Sequence, residues 1–176
     1  MKKAKSCCFI LGSFSRIFEG KEENLLTNEI KEKITQQIDY LIEKENISFF
    51  YTGMESGADL FYADYVLSKK EEFGLKLCCV IPYEEQALNF SEEERDLYFS
   101  VAQRSDEEIM LNRQKVLGCR RKRDEFMIKN SDVIILLHDT CVSPDSLNLQ
   151  KIDKEKQIIV INPFNSRQNA TFKRIV

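Results

Sequence analysis

Two glycines stand four residues apart in the segment Gly53-Met54-Glu55-Ser56-Gly57, which joins an apolar run to a helical pattern. Glycine at such a turn allows a positive φ or lets a ligand approach the backbone closely. The start of a helix offers unpaired N–H groups and a partial positive charge, which suit a phosphate group. Ser56 would add a hydroxyl group. We interpret the segment as a ligand-binding turn; the alternative is a tight turn that packs the helix against a sheet.

Three carboxylates lie where a general acid or base would be placed. Asp59 follows the glycine turn, and Glu84 and Glu85 follow a predicted strand. The charge of Asp59 would repel a nearby phosphate, but its oxygens would cap the helix or accept hydrogen bonds from ribose hydroxyls or a base. No nucleophile or paired carboxylate stands beside Glu84 and Glu85, so a solvated acidic loop is the simpler interpretation there.

Four consecutive basic residues, Arg120 to Arg123, lie near the start of another predicted helix. Cations at this end oppose the helix dipole at a cost of about 0.3–1 kcal/mol each. A bound anion would offset that cost, and we therefore predict an anion-binding role for Arg120 and Arg123. The alternative is a solvated helix face with i,i+4 pairs between Arg120 and Asp124 and between Arg121 and Glu125.

The first predicted strand ends at Gly12 and Ser13, the usual place for a nucleotide phosphate in doubly wound folds. Arg16 would neutralise that phosphate. The segment lacks the Gly-x-Gly-x-x-Gly fingerprint, which argues against a standard NAD site. His138 ends another strand on the same side of the sheet, and a structural role is the simpler one for a lone histidine.

Apolar runs alternate with helical patterns along the chain. This alternation predicts a three-layer α/β/α Rossmann-like domain with a mainly parallel sheet. Ser91 and Glu94 have the spacing of a capping box. The predicted strands are Cys7–Leu11, Ile47–Thr52, Leu75–Ile81, Glu107–Leu111, Val133–Leu137 and Gln157–Ile161, and the predicted helices are Leu25–Lys44, Ala58–Lys69, Ser91–Arg104, Cys119–Lys129 and Pro144–Lys156.

Composition bounds these expectations. The chain has 176 residues, of which 43% are hydrophobic and 31% charged, so we predict one domain over 1–176 with its core at about 7–163. The net charge of −3 gives no argument for nucleic acid or an anionic membrane. Cys7–Cys8 and Cys78–Cys79 are adjacent pairs within strands, whose neighbouring side chains point to opposite faces. We therefore expect buried free thiols, no metal site and a cytoplasmic location.

Five stretches in this order resemble the YpsA-like family, which belongs to the SLOG superfamily with the DNA-processing protein DprA and the LOG phosphoribohydrolases. They are CCFILG, FYTGMESGADLFYADYVL, CCVIPYEEQALNFSEEERDLY, GCRRKRDEFMIKNSDVIILLHD and IIVINP. The resemblance implies a Rossmann-like fold that binds a nucleotide or a nucleotide derivative. It carries binding roles onto the matching positions, which are Gly12, Gly53, Met54, Gly57, Asp59, Cys119 and Arg123.

The chain also departs from the family pattern. The family has Gly-His-Arg-Pro after its first strand, where this chain has Gly12-Ser13-Phe14-Ser15. Asp124 replaces an asparagine of the arginine-rich helix, and residues 140–148, TCVSPDSLN, replace a Gly-Gly-Thr turn. In LOG enzymes the longer glycine-rich motif at that turn is catalytic. The departures weaken the case for phosphate binding and for LOG-like cleavage.

Three functional hypotheses follow. The first is a sensor or regulatory module that binds a small nucleotide-like ligand without turnover. The second is an enzyme that hydrolyses N-glycosidic or phosphoribosyl bonds with Asp59, Glu84 or Glu85. The third, a DprA-like binder of single-stranded DNA that uses Arg120–Arg123, is the least favoured because the chain is acidic overall and has one short basic cluster. Self-association is compatible with all three, and a membrane partner with none.

Overall fold

A parallel sheet forms the centre of the computed structural model, which describes residues 4–12, 25–138, 156–162 and 171–172. The strand order is β4-β3-β2-β1-β5-β6-β7. All neighbouring strands are parallel except β6 and β7, which are antiparallel. The strands are β1 Lys5–Leu11, β2 Ile47–Thr52, β3 Lys76–Ile81, β4 Glu107–Met110, β5 Val133–Leu137, β6 Gln157–Ile161 and β7 Thr171–Phe172.

Helices cover both faces of the sheet, which confirms the predicted three-layer α/β/α Rossmann-like fold. Side chains of α1, α2 and α4 form one core with the sheet, and α5 packs on the opposite face. Within the described ranges, none of the helices is both long and apolar enough to cross a membrane. The helices are α1 Leu25–Glu45, α2 Ala58–Ser68, α3 Lys70–Phe73, α4 Glu92–Arg104 and α5 Cys119–Asn130, with a short 3-10 helix at Gln86–Asn89.

Helix α1 is held by one apolar stripe. Ile30, Ile34, Ile38 and Leu41 recur at helical spacing, and all four side chains are fully buried. Burial of a side chain of this size contributes about 1.5–3 kcal/mol relative to exposure, so the stripe fixes which face of α1 meets the sheet.

The adjacent cysteines divide between the two faces of the sheet, as expected. Cys7 joins the core under α1 and α2, whereas Cys8 joins the core under α5. Burial raises the pKa of the Cys8 thiol to about 12, so it is neutral and unreactive at physiological pH. The five described cysteines are buried and unpaired, which confirms the prediction of free thiols for them. In the described part of the chain, no three His, Cys, Asp or Glu residues cluster as metal ligands do.

Local signals placed α4 correctly but missed α3. The Ser91 Oγ accepts a hydrogen bond from the Glu94 N–H, and the Glu94 carboxylate accepts one from the Ser91 N–H, so the predicted capping box is confirmed. The four-residue helix α3 was not predicted, and it ends at Gly74 with a φ of 63°. The predicted helix at 144–156 lies outside the described residues apart from its last position.

The two edges of the sheet differ. β7 pairs with β6 at one edge. At the other edge of the sheet, as far as the structure describes the chain, lies β4, a strand of four residues that pairs with β3. Glu107 and Glu108 of β4 are both exposed, as is Met110 at its end.

Strand order reverses at β1, because the chain builds β2, β3 and β4 on one side of it and β5 and β6 on the other. Ligands of doubly wound folds sit beyond the carboxyl ends of the strands at this point. The backbone there is tightly packed, since the Gly12 N–H donates to the Leu137 carbonyl at 2.8 Å. A Cβ on Gly12 would lie 2.6 Å from Nδ1 of the buried His138 and 2.9 Å from the Leu137 carbonyl oxygen.

This close approach predicts that Gly12→Ala destabilises the fold. The Leu137 carbonyl is backbone within a buried strand and cannot move aside, so we expect the free energy of unfolding to fall by about 1–3 kcal/mol in urea denaturation. Gly74→Asn is the control, because no atom lies within 4 Å of a Cβ there and asparagine tolerates a positive φ. Equal stability of Gly12→Ala and the wild type would contradict the packing described here.

Candidate functional site

The turn between β2 and α2 uses its two glycines differently: Gly57 has a positive φ, whereas Gly53 allows a close approach of Arg123. Gly57 is the N-cap of α2 with φ 81° and ψ −122°, a conformation that residues with a Cβ rarely adopt. Met54 also has a positive φ, 59°, although it is not glycine. Such strain persists only where surrounding contacts hold it in place.

Asp59 supplies the contacts that hold the turn. Its Oδ1 accepts a hydrogen bond from the Thr52 hydroxyl at 2.7 Å, and its Oδ2 accepts one from the Glu55 N–H at 3.1 Å. The Thr52 hydroxyl in turn accepts from the Met54 N–H at 3.1 Å. Asp59 is only 2% exposed, so in this structure its carboxylate braces the loop from inside and does not face solvent.

Burial raises the pKa of the Asp59 carboxyl to about 7. Removal from water disfavours the charged form, and this effect outweighs the opposing attraction of Arg123 and the hydrogen bonds from Thr52 and the Glu55 N–H. The turn therefore contains a carboxyl group that is partly protonated near neutral pH.

Arg123 links helix α5 to the same turn. Its Nη1 donates to the Gly53 carbonyl at 3.1 Å and to Oε1 of Glu55 at 2.6 Å. Its Nε and Nη2 both donate to Oδ1 of Asp124, at 2.9 and 2.7 Å. The side chain is 5% exposed, so the charge is buried and compensated by two carboxylates.

Gly53 is glycine because Arg123 lies against it. A Cβ on Gly53 would be 2.7 Å from the Arg123 Nε and 2.8 Å from its Cζ. The Gly53 carbonyl also accepts a hydrogen bond from Nε2 of the buried Gln86 at 3.0 Å, which brings the loop after β3 into the cluster. These contacts join helix α5 to the β2–α2 turn and to the loop after β3, at the carboxyl edge of the sheet.

Arg120 forms the solvent-facing side of the cluster. Its Nε lies 3.0 Å from the same Oε1 of Glu55 that Arg123 contacts, and its side chain is 56% exposed. Arg120 also lines an open cleft of about 440 Å³ at the start of α5. The other residues of this cleft are Lys115, Val116, Leu117, Gly118 and Cys119.

The basic residues Arg120–Arg123 form ion pairs that their spacing in the sequence only partly predicted. The Arg121–Glu125 pair is confirmed, with 2.9 Å between Nε and Oε1. The expected pairing of Arg120 with Asp124 was wrong: Arg120 pairs with Glu55, because Asp124 is taken by Arg123.

The structure brings several of the predicted site residues together. Gly53, Met54, Gly57, Asp59, Arg120 and Arg123 lie in or beside the β2–α2 turn, where Ser56 is half-buried. Cys119 is buried at the first position of α5 and lines the cleft.

Other candidates lie apart or cannot be placed. Glu84 and Glu85 are exposed on the loop after β3, and no contact in the described part of the chain joins their carboxylates to the cluster. Gly12 lies at the end of β1 against His138. Ser13 and Arg16 lie outside the described residues.

Sequence reasoning missed the partners that hold the cluster. It assigned no role to Thr52, Glu55 or Gln86, and it did not pair Asp124 with Arg123. One signal was available: Arg120 and Arg123 are three residues apart on a helix and so share a face, which predicts convergence on one target. Nothing in the sequence marks Gln86 as buried against Gly53.

Comparison with known proteins places the chain in a family. The model described as the YspA SLOG family (YpsA) matches residues 15–163. The chain belongs to this family. The match spans every described element of the sheet except the first strand and the short β7.

Individual relatives are more distant. The chain is 27% identical over 112 residues to a UPF0398 protein of Listeria monocytogenes, and 26% identical over 126 residues to one of Brevibacillus brevis. It covers 61% and 65% of their lengths, so each relative extends beyond the match. It is also 30% identical over 124 residues to the uncharacterized SPbeta prophage-derived protein YoqJ of Bacillus subtilis, with 62% of this chain and 72% of that one covered.

A solved structure shares the fold. The X-ray structure of DNA processing protein A (DprA) from Streptococcus pneumoniae superimposes with a TM-score of 0.55 and 11% sequence identity. The superposition covers 94% of this chain and 53% of that one. At this identity the likeness concerns the fold alone.

The buried charge of Arg123 predicts a large effect of its removal. Arg123→Met leaves the mostly buried Asp124 without its partner and Glu55 with Arg120 alone, so we expect a loss of about 3–5 kcal/mol in the free energy of unfolding. Arg121→Met is the matched control, since it removes an exposed pair with Glu125, worth at most about 1 kcal/mol. Urea denaturation of both variants at one pH measures the difference, and similar losses would show that Arg123 is not the link between α5 and the turn.

Asp59 predicts a dependence of stability on pH. Its pKa in the folded state, about 7, lies above its ordinary 3.8, so between these values the folded state holds a proton that the unfolded state has released. The stabilisation of the folded state by proton binding at Asp59 is fully present below about pH 4 and is lost as the pH rises through 7. Asp59→Asn cannot titrate, so we expect the wild type to lose stability relative to this variant from pH 4 to 7. Parallel profiles of the two proteins in urea denaturation would refute the assignment.

Proposed function

We propose that the protein is a binding module for a nucleotide or nucleotide derivative, with the ligand at the β2–α2 turn and the start of α5. The observation that carries this proposal is the convergence of Arg120 and Arg123 on the turn at the head of α2. Two guanidinium groups beside a helix N-terminus match the geometry and charge of a phosphate group.

The neighbouring surface suits the rest of such a ligand. The N-cap of α2 is Gly57, which has no side chain and so makes no side-chain capping hydrogen bond to the first turn of the helix. The cleft that Arg120 shares is walled by Val116 and Leu117, whose exposed apolar side chains would contact a base or a sugar face. Ligand sites combine such apolar walls with a few fixed polar groups.

A binding role fits the carboxylates better than hydrolysis does. An N-glycosidic hydrolase needs a carboxylate that reaches the bound ribose. Asp59 is enclosed by Thr52 and the loop backbone, and Glu84 and Glu85 are exposed to solvent. Binding of single-stranded DNA is less supported, because the chain has a net charge of −3 and one short basic cluster.

The proposal is tested by thermal shift and calorimetry with AMP, NAD and ADP-ribose. Ligand at 100 times its dissociation constant adds about 2.7 kcal/mol of stability, which raises the melting temperature measurably. We expect Arg120→Gln to lower the affinity for the nucleotide at least tenfold relative to the wild type. Arg121→Gln removes a neighbouring exposed arginine and should leave the affinity within twofold of the wild type. Absence of binding by the wild type to all three compounds would reject the proposal.

Two further assays separate the alternatives. Nucleoside monophosphates incubated with excess protein stay intact if the protein only binds them, and release of free base would establish the hydrolase. Binding of a single-stranded oligonucleotide that weakens steeply with salt would establish the DNA binder.

A further inference from the structure

Glu55 occupies the position that an anionic ligand would take. One oxygen of its carboxylate lies 2.6 Å from Nη1 of Arg123 and 3.0 Å from Nε of Arg120. A phosphate oxygen bound by the same two arginines would lie at this point, because phosphate and carboxylate oxygens make the same charge-assisted hydrogen bonds. The ligand and Glu55 cannot both fill it.

We propose that Glu55 is a built-in competitor for the phosphate of the ligand, and that its carboxylate must leave the two arginines before a phosphate monoester binds. This inference rests on the proposed function, because it concerns the same site. It names a phosphate monoester as the charged group that the site recognises. It also names the contact of Glu55 with the two arginines as the one that keeps the affinity for the ligand low.

The burial of the three side chains allows such an exchange. Glu55 lies at the solvent boundary with 13% of its side chain exposed, and Arg120 is more than half exposed, so the carboxylate can swing outward. Arg123 stays in place when Glu55 leaves, because Asp124 and the Gly53 carbonyl still accept its hydrogen bonds. The exchange therefore leaves no buried charge without a partner.

The charges around the position of the Glu55 carboxylate favour an incoming anion only after Glu55 has left it. With Glu55 bound, the carboxylates of Glu55, Asp59 and Asp124 face the two guanidinium groups, and an added phosphate would meet a neutral or negative site. Without Glu55, the arginines face Asp124 and an Asp59 that is partly protonated near neutral pH. Local charge then turns from negative or neutral towards positive.

The experiment compares Glu55→Gln with Glu125→Gln by calorimetry, with inorganic phosphate and AMP as probes. Both variants remove one negative charge from a glutamate that pairs with an arginine of α5, but only the Glu55 carboxylate lies between Arg120 and Arg123. We expect Glu55→Gln to bind both probes at least tenfold more tightly than the wild type and Glu125→Gln to match the wild type. Adding Arg120→Gln to Glu55→Gln should cancel the gain.

Equal affinities of Glu55→Gln and Glu125→Gln for phosphate would overturn the inference. Glu55→Ala provides a second variant, which must show the same gain if Glu55→Gln misfolds. Tight AMP binding by the wild type with no gain in Glu55→Gln would reject the competitor and leave the proposed function standing. If Glu55→Gln gains affinity for phosphate but neither the wild type nor any variant prefers AMP to phosphate, the result would support Glu55 as a competitor for phosphate. It would reject the nucleotide function.

Discussion

A buried guanidinium is the constraint on which this end of the fold depends. Arg123 is an always-charged side chain with almost no access to water, and an uncompensated charge there would cost several kcal/mol. Its compensation recruits a carboxylate from its own helix and one from another loop, and its bulk excludes a Cβ at Gly53. A single side chain thereby links helix α5 to the turn between β2 and α2.

The same interaction limits what the site can do. All three nitrogens of Arg123 are engaged within the protein, so Arg120 is the more exposed of the two arginines and Arg123 would meet a ligand only through the Nη1 that now contacts Glu55. In the family pattern the position after Arg123 is an asparagine, whereas this chain has Asp124. A carboxylate there neutralises the arginine more completely than an amide would, which makes the site less cationic.

The sequence was sufficient for the fold, and it placed several of the candidate residues at one turn, but it did not predict the contacts between them. Within the described residues, the spacing of apolar residues predicted the ends of the six parallel strands and the four long helices to within two residues. Burial of one face of a helix or of a strand imposes that spacing on the chain. The positive φ of Gly57 could be predicted from its residue type, whereas Gly53 is required by Arg123, which lies 70 positions away in the chain. The contacts of Arg123 with Gly53 and Glu55 join residues about 70 positions apart, and no local pattern encodes them. Spacing therefore favoured the i,i+4 partner, Asp124, for Arg120, and tertiary packing overrode it.

The short edge strand β4 has a consequence for the behaviour of the protein in a crowded solution. An exposed strand edge is a template onto which another chain can add, and such growth leads to aggregation. Glu107 and Glu108 are successive residues, so their carboxylates project from opposite faces of β4. A foreign strand that docked there would meet negative charge whichever way it turned its apolar face. Four residues also offer too few backbone hydrogen bonds to offset that repulsion. Within the described residues, brevity and charge protect this edge.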